Sequence, residues 1–337
     1  MNNDKKYLII YHFEDNDGCC SCAIMKYYLV NELGVDENNI TLFGANYAIL
    51  SKVYADNFNF ILNKKEYNIL DFDSVIMTDI SFNDFNAIKT LYEEFGNNFT
   101  WIDHHAPIIT ESIKRKYDTL INGVRDTHRS ALLNAYKYCY DPLDIKYTNG
   151  EAPYLLRVLS AWDSFTFESE GIDFEYARKV NMGFTSWYKL NTDIWYNNIG
   201  NFINGTYEFN KSYADEGCKL GKKEADEYDK RNESIIKNFG MSGFTVDGRP
   251  AMLLFMSEGT SSLIFKSVSD KYKNGICAKT SPTGNIIISL YNTDRMDHTF
   301  HCGTYLHDKY GGGGHEGAAG TTITIEQFNK ILKTKTL

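Results

Sequence analysis

Acidic and histidine side chains that could bind a metal occur in four short segments of the sequence. They are His12, Asp15 and Asp17, then Asp79, then Asp103, His104 and His105, and finally Asp163. Together they provide five carboxylates and three imidazoles. So many acids at one place cannot all ionise unless cations lie between them. Oxygen and imidazole donors suit Mn²⁺, Mg²⁺ or Fe²⁺ better than a structural zinc, which favours thiolates.

Short apolar runs that are typical of buried strands come directly before three of these segments. The runs are residues 7–11, 74–78 and 99–102. Helical patterns follow the first two, at 21–33 and up to about residue 95, which indicates βαβ units and a largely parallel sheet flanked by helices. Because functional sites of such sheets lie beyond the carboxyl ends of the strands, we expect the three polar segments to converge.

The second half of the chain has a different pattern. Residues 154–239 are mostly helical, and charges on nearly every turn of 219–237 favour an exposed connecting helix. Strands are then predicted at 244–246, 251–256, 276–280 and 286–290, with a turn at Asp247-Gly248, a helix at 261–272 and another helix before a glycine run. We therefore predict an α/β protein with a metal-binding domain at 1–205, a helical linker at 206–240 and a smaller α/β domain at 241–337.

Composition narrows the classes of function. A chain of 337 residues is long enough for roughly two domains. Its formal net charge of -9 provides no global positive field for long nucleic acid, so a polyanion must be bound by a small local site. The longest apolar run, 251–256, is far too short to span a membrane, and the amino terminus is polar. We expect a cytoplasmic protein with reduced thiols, in which Cys19, Cys20 and Cys22 are small core residues.

The order and placement of these segments resemble the four N-terminal motifs of the DHH phosphoesterases. The run at 311–320, GGGGHEGAAG, resembles the glycine-rich signature of the DHHA1 domain that follows the DHH domain in that family. The resemblance extends from residue 12 to residue 320. It implies a phosphohydrolase that uses two divalent cations, preferably Mn²⁺, with Mg²⁺ or Fe²⁺ as alternatives.

The resemblance also assigns a role to each polar residue. One cation would be held by His12, Asp15 and Asp79, and the other by Asp17, Asp79, His104 and Asp163. Asp79 would therefore bridge the two cations. Such pairs, about 3.5–4 Å apart, activate water and stabilise charge during in-line displacement. Asp103 and His105 would be catalytic, with Asp103 orienting the histidines and His105 contacting phosphate or donating a proton.

Substrate binding is expected near the glycine run. Gly312, Gly313 and Gly314 would offer backbone N–H groups to a phosphate, and His315 would add a donor. Many relatives have an arginine after a Ser-Leu pair, whereas Ser289-Leu290 is followed here by Tyr291-Asn292, so Arg295 is the predicted substitute.

Two further alternatives stay open at this point. Glu14 could compete with Asp15 for the first cation. A helix predicted from Ser130 follows His128 and Arg129, so its N-terminus could bind an anion.

The favoured function is hydrolysis of short oligonucleotides or dinucleotides. A single-strand exonuclease that resembles RecJ is one alternative, although the chain leaves no room for an added OB-type domain. A pyrophosphatase or phosphomonoesterase is less favoured, because family-II pyrophosphatases lack the GGGGH signature. A non-catalytic nucleotide-binding protein is the third alternative. No long duplex and no membrane are expected as partners, and the chain could form a homodimer.

Overall fold

The protein is described by a computed structural model that covers residues 5–140, 151–256, 261–294, 297, 299–314 and 316–337. The chain divides into two compact units, Met1–Glu224 and Ala225–Leu337. A 33-residue helix, α10 (Tyr207–Phe239), runs across this division. The three-part division at residues 205 and 240 stays a prediction.

The first unit is built on a four-stranded parallel sheet. Its strands are β1 (Tyr7–His12), β2 (Ile40–Ala45), β5 (Ser74–Thr78) and β6 (Phe99–Ile102). They lie in the order β2-β1-β5-β6, and every neighbouring pair is parallel. All four carboxyl ends therefore lie at one edge, which is called here the carboxyl edge. A separate antiparallel hairpin consists of β3 (Asn59–Leu62) and β4 (Lys65–Asn68).

Helices cover both faces of this sheet. They are α1 (Asn16–Tyr27), α2 (Tyr47–Ala55), α3 (Phe85–Phe95), α4 (Ala106–Lys114), α5 (Ala131–Tyr140), α6 (Tyr154–Ser164), α7 (Phe167–Glu170), α8 (Phe174–Tyr188) and α9 (Thr192–Asn204). Alternate side chains of the strands enter two separate cores. Ile9 and Ile76 pack in one core, while Leu8, Ile10 and Met77 pack in the other. Burial on both faces explains why the strands read as continuous apolar runs.

The second unit is a six-stranded mixed sheet with helices. Its strands are β7 (Met241–Val246), β8 (Arg249–Phe255), β9 (Asn274–Thr280), β10 (Ile286–Asn292), β11 (Gly313–Gly314) and β12 (Ala318–Ile323). The order is β11-β12-β10-β9-β8-β7, and only the β8–β9 pair is parallel. Helices α11 (Cys302–Tyr310) and α12 (Ile325–Thr334) complete it. The predicted turn at Asp247-Gly248 is confirmed, with φ of 50° and 77°.

Most predicted elements are present, but two helices differ. Helix α1 begins at Asn16 instead of residue 21, because the Asp15 side chain caps it by accepting a hydrogen bond from the Gly18 N–H. The predicted helix at 261–272 is a 3₁₀ helix, Ser262–Val268. Just beyond its end, the Ser269 hydroxyl donates to the Lys266 carbonyl at 3.0 Å and so competes for a backbone acceptor.

The prediction for the three clustered cysteines agrees with the structure. Cys19, Cys20 and Cys22 are fully buried in a hydrophobic core, as expected for small core residues. No helix in the described part of the chain has the length and apolar character needed to cross a membrane.

Candidate metal centre

The first group of polar side chains follows strand β1. His12 ends the strand, and its Nδ1 lies 2.9 Å from Asp15 Oδ2. Helix α1 starts so close to His12 that a Cβ on Gly18 would lie 2.0 Å from the His12 carbonyl oxygen. Only glycine fits there, and this close approach holds Asp15 beside the imidazole. Burial alone would lower the pKa of His12, but the carboxylates of Asp15 and Asp79 outweigh it and raise this pKa to about 10.

Asp79 follows strand β5 in a left-handed backbone conformation with φ of 58°. This conformation is unusual for a residue other than glycine, and it is held by a hydrogen bond from the Asp79 N–H to the Ile102 carbonyl at 3.0 Å. The side chain is 2% exposed. Its Oδ2 lies 3.6 Å from His12 Nδ1, and its Oδ1 lies 3.3 Å from His104 Nε2. The two oxygens of one carboxyl group therefore face two different histidines.

Asp103, His104 and His105 follow strand β6. Asp103 is fully buried, and its Oδ1 accepts hydrogen bonds from the N–H groups of His104 and His105, at 2.8 and 3.2 Å. The same oxygen lies 2.7 Å from His105 Nδ1, and Trp101 Nε1 donates to Oδ2 at 3.0 Å. Although burial opposes ionisation, these bonds and His105 lower the pKa of Asp103. The geometry fixes the His105 ring and leaves its Nε2 for another partner.

Asp17 and Asp163 complete the cluster around His104. Their Oδ2 atoms lie 3.8 Å and 3.2 Å from His104 Nε2. Asp163 stands near the end of α6, while Asp17 also accepts hydrogen bonds of 2.8 Å from the N–H groups of Ala131 and Leu132. The N-terminus of α5 is thus filled by Asp17. An external anion bound there next to His128 and Arg129 is therefore not supported.

Three sets of side chains in the described part of the chain could hold a metal ion. They are His12, Asp15 and Asp79; Asp17, His104 and Asp163; and Asp79, His104 and His105. The structure thus brings together all six residues predicted as metal ligands. Asp103 and His105, the residues predicted as catalytic, adjoin them.

Uncompensated negative charge is concentrated in this cluster. Burial, followed by repulsion from Asp17, raises the pKa of Asp79 and of Asp163 well above the ordinary value of 3.8. Asp79 Oδ2 is buried, and no described residue forms a hydrogen bond with it. A buried carboxylate oxygen without a hydrogen bond is costly, and a cation bound to it would remove that cost. The oxygen and imidazole donors are those that Mn²⁺ and Mg²⁺ accept.

Glu14 lies outside the three sets. Its Oε2 is 3.4 Å from His12 Nε2, and its other oxygen accepts a hydrogen bond of 2.9 Å from Asn46 Nδ2. The side chain is half-exposed, whereas Asp15 is held by the Gly18 N–H. The geometry therefore favours Asp15 over Glu14 beside His12.

The residues predicted to bind substrate are described only in part. Arg295 and His315 lie outside the described residues. The N–H of Gly312 donates to the Leu306 carbonyl at 3.1 Å, so it completes the end of α11 instead of facing a ligand. Gly313 and Gly314 form the edge strand β11, which among the described strands pairs with β12 alone and so has an open side. Among the described residues, the prediction of substrate binding therefore rests on Gly313 and Gly314, while Arg295 and His315 stay predictions.

Sequence reasoning did not identify two residues that adjoin this centre. Tyr47 begins α2 directly after β2, a strand that the sequence pattern did not predict. Asn16, between the two acids of the first segment, is buried and donates hydrogen bonds to the Asn181 carbonyl and the Thr185 hydroxyl of α8, at 3.0 and 2.8 Å. Recognising 40–45 as a fourth parallel strand would have placed residue 47 at the carboxyl edge.

Comparisons with known proteins agree with this architecture. Residues 6–159 match the model of the DHH family, N-terminal domain. No curated protein matches the sequence. Among solved structures, the DHH domain of a member of a family of ribosomal proteins aligns with 98% of this chain and 86% of its own, with 14% identity and a TM-score of 0.58.

Two other structures align at lower TM-scores. The pGpG-specific phosphodiesterase PggH from Vibrio cholerae has 16% identity and a TM-score of 0.44, covering 98% of this chain and 97% of its own. RecJ in complex with Mn²⁺ from Thermus thermophilus has 14% identity and a TM-score of 0.48, covering 98% and 51%. At such identities the likeness concerns the fold. The resemblance of the C-terminal unit to a DHHA1 domain stays a prediction.

Proposed function

Because residues 6–159 match the model of the DHH family, N-terminal domain, we propose that this protein is a metal-dependent phosphodiesterase that hydrolyses short oligonucleotides or dinucleotides. The observation that carries the proposal is the position of Asp79. One carboxyl oxygen is 3.6 Å from His12 and the other is 3.3 Å from His104, so a single buried group adjoins both sets of ligand-type side chains.

The residues of the centre fit two divalent cations. His12, Asp15 and Asp79 would hold one cation, and Asp17, Asp79, His104 and Asp163 would hold the other. When bound, such cations supply the Lewis acidity that activates water and stabilises negative charge on a phosphoryl group. Mn²⁺ is the preferred ion, with Mg²⁺ or Fe²⁺ as alternatives, because every side chain in these sets offers oxygen or imidazole nitrogen.

Asp103 and His105 would handle the proton of the leaving group. Asp103 Oδ1 holds His105 Nδ1 at 2.7 Å, which orients the ring. His105 Nε2 can then contact the scissile phosphate and donate a proton to the departing oxygen. The His105 side chain is 34% exposed, so a substrate can reach it.

Substrate length is limited by the distribution of charge. The formal net charge of -9 provides no basic track for a long strand. Phosphate-binding groups are instead expected at the metal centre and at the glycine-rich segment, where Gly313, Gly314 and His315 would hold a second phosphate and Arg295 would assist. In this proposal residues 241–337 are a DHHA1-type substrate-binding domain.

A substrate panel tests the proposal. The purified chain would be incubated with Mn²⁺ and with pApA, cyclic dinucleotides, 5′-labelled RNAs from dimers to about 24-mers, pyrophosphate and a phosphomonoester, at two salt concentrations. We expect the highest kcat/KM for substrates of roughly two to five nucleotides, with only a modest effect of salt because few phosphates are contacted.

The alternatives give different results in the same panel. Efficient degradation of the longest RNA with a steep dependence on salt would favour a RecJ-like exonuclease. Turnover of pyrophosphate or the monoester alone would identify a phosphatase. Tight nucleotide binding without turnover under any metal condition would favour a non-catalytic binding protein.

A further inference from the structure

Tyr47 lies at the carboxyl edge, beside the first group of predicted ligands. Strand β2 pairs with β1 so that Ala45 is opposite His12, and Tyr47 follows two residues later as the first residue of α2. Asn46 caps this helix through its Oδ1, which accepts from the Ile49 N–H at 3.0 Å. The Asn46 amide also donates to Glu14 at 2.9 Å, which ties the start of α2 to the loop after β1.

The Tyr47 ring lies between two histidines with different proposed roles. Its centroid is 6.2 Å from that of His12 and 5.9 Å from that of His105. The contact with His105 is edge-on, at an interplanar angle of 86°. Tyr47 is therefore near both the proposed ligand His12 and the proposed proton donor His105.

The Tyr47 hydroxyl has no hydrogen-bond partner among the residues that the structure describes. A tyrosine hydroxyl is protonated at neutral pH and can donate a hydrogen bond. A donor on this ring that is bonded to no described residue is available to an anion that arrives with the substrate.

We propose that the Tyr47 hydroxyl donates a hydrogen bond to a non-bridging oxygen of the scissile phosphate, and so acts as a further catalytic residue. This inference rests on the proposed phosphodiesterase function and adds a substrate contact to it. The hydrogen bond strengthens as negative charge grows on that oxygen in the transition state, which is the general basis of oxyanion stabilisation.

The test compares Tyr47→Phe with Tyr54→Phe. Tyr47→Phe removes only the hydroxyl and keeps the ring that packs against the two imidazoles. Tyr54 lies on the same helix but contacts Phe58 and Phe82 in the core, so its variant is the matched control. We expect kcat of Tyr47→Phe on a dinucleotide to fall about 100-fold, while Mn²⁺ affinity and the melting temperature stay those of the wild type. Tyr54→Phe should keep wild-type kcat.

Phosphorothioate substrates provide a readout that a structural role would not change. Replacing one non-bridging oxygen by sulfur weakens the hydrogen bond in only one of the two diastereomers. The wild type should hydrolyse that diastereomer more slowly than the other one. In Tyr47→Phe this difference in rate should become smaller, because the sulfur in the substrate and the loss of the hydroxyl remove the same hydrogen bond.

Three results would overturn the inference: unchanged kcat in Tyr47→Phe, identical thio effects in variant and wild type, or a loss of Mn²⁺ affinity that accounts for the loss of activity. A wild-type protein that hydrolyses no phosphodiester would instead refute the proposed function, and the inference with it. If the wild type is active and Tyr47→Phe is equally active, the inference is refuted but the proposed function is not.

Discussion

The carboxyl edge of the parallel sheet and the glycine-rich segment of the C-terminal unit obtain their polar groups in different ways. At the carboxyl edge the groups are side chains, and burial with mutual repulsion raises the pKa of Asp79 and Asp163. In the glycine-rich segment the described polar groups are backbone atoms of Gly313 and Gly314 on an edge strand. Repelling acids can hold cations at the bond that breaks, whereas the backbone donors of the glycine-rich segment are expected to hold a different phosphate of the substrate. Substitutions at the carboxyl edge should therefore affect kcat, and those in the glycine-rich segment should affect KM.

The largest effect is expected for Asp79→Asn. This change removes the negative charge that the two proposed cations share and replaces one of the two oxygens that face the histidines. Both cations should therefore be lost, and kcat should fall by at least about 10⁴-fold, as when a whole catalytic unit fails. Metal content after equilibrium dialysis and turnover on a dinucleotide are the measurements. Asp73→Asn is the control, because Asp73 precedes the same strand and accepts from the Lys6 N–H at 2.8 Å. Two bound cations and normal turnover in Asp79→Asn would contradict the assignment.

The next largest effects are expected for residues of the carboxyl edge that take part in the reaction without binding a cation. His105→Gln should lower kcat by about 10²–10⁴-fold while cation content is retained, since a proton donor is lost. Asp103→Asn should lower it by about 10–100-fold, because the ring loses its orienting partner. Metal analysis and pH–rate profiles distinguish these cases, with the exposed His128→Gln as the control.

A different outcome would change the role of His105. If His105→Gln lost a cation in proportion to its activity, His105 would be a ligand in the set that includes Asp79 and His104. His128→Gln should keep both the wild-type cation content and the wild-type kcat.

The fold could be predicted from the sequence where strands are buried on both faces. Strands β1, β5 and β6 are apolar on both faces, so their runs are unmistakable and the acids that follow them are easily placed at one edge. Strand β2 has mostly half-buried residues, including Gly44, and this weaker signal hid both the strand and Tyr47 beyond it. The order of the motifs thus predicts the ligand-type residues but not the residues that surround them.

Contacts between distant segments could not be predicted from local patterns. Asp17 reaches the N-terminus of α5, 114 residues later, and Asn16 reaches α8, 165 residues later. The left-handed backbone of Asp79 has no local sequence signal either, because it depends on the Ile102 carbonyl of the neighbouring strand. Packing of whole elements decides these features.

A smaller effect should appear in the pH dependence of cation binding. His12 has a pKa of about 10 instead of 6.5 in the metal-free protein, so a cation must displace its proton. We expect Mn²⁺ affinity to rise by up to about tenfold per pH unit as the pH rises towards 10 and to level off near pH 10. Titration calorimetry in buffers of different ionisation enthalpy measures the released proton.

The same pKa shift also predicts the pH dependence of stability. A raised histidine pKa stabilises the metal-free fold fully below pH 6.5, and this contribution is lost as pH rises through about 10. His12→Gln should flatten both the affinity and the stability profiles. Mn²⁺ affinity that is constant between about pH 7 and 9 would contradict the proposed role of His12.

The smallest effect is expected in the glycine-rich segment. His315→Ala should raise KM for a trinucleotide by several-fold, roughly 3- to 10-fold, with cation content and kcat unchanged, because only uniform binding is lost. His307→Ala, an exposed histidine on α11, is the matched control. If His315→Ala altered neither KM nor kcat for any oligonucleotide, the second phosphate-binding region would be wrongly placed.

Anomalous diffraction at the manganese edge tests the shared role of Asp79 most directly. Crystals of the protein grown with Mn²⁺ should show two peaks about 3.5–4 Å apart. One peak should lie within bonding distance of His12, Asp15 and one Asp79 oxygen, and the other within bonding distance of Asp17, His104, Asp163 and the second Asp79 oxygen. A single peak, or two peaks that do not share Asp79, would contradict the proposed two-cation centre.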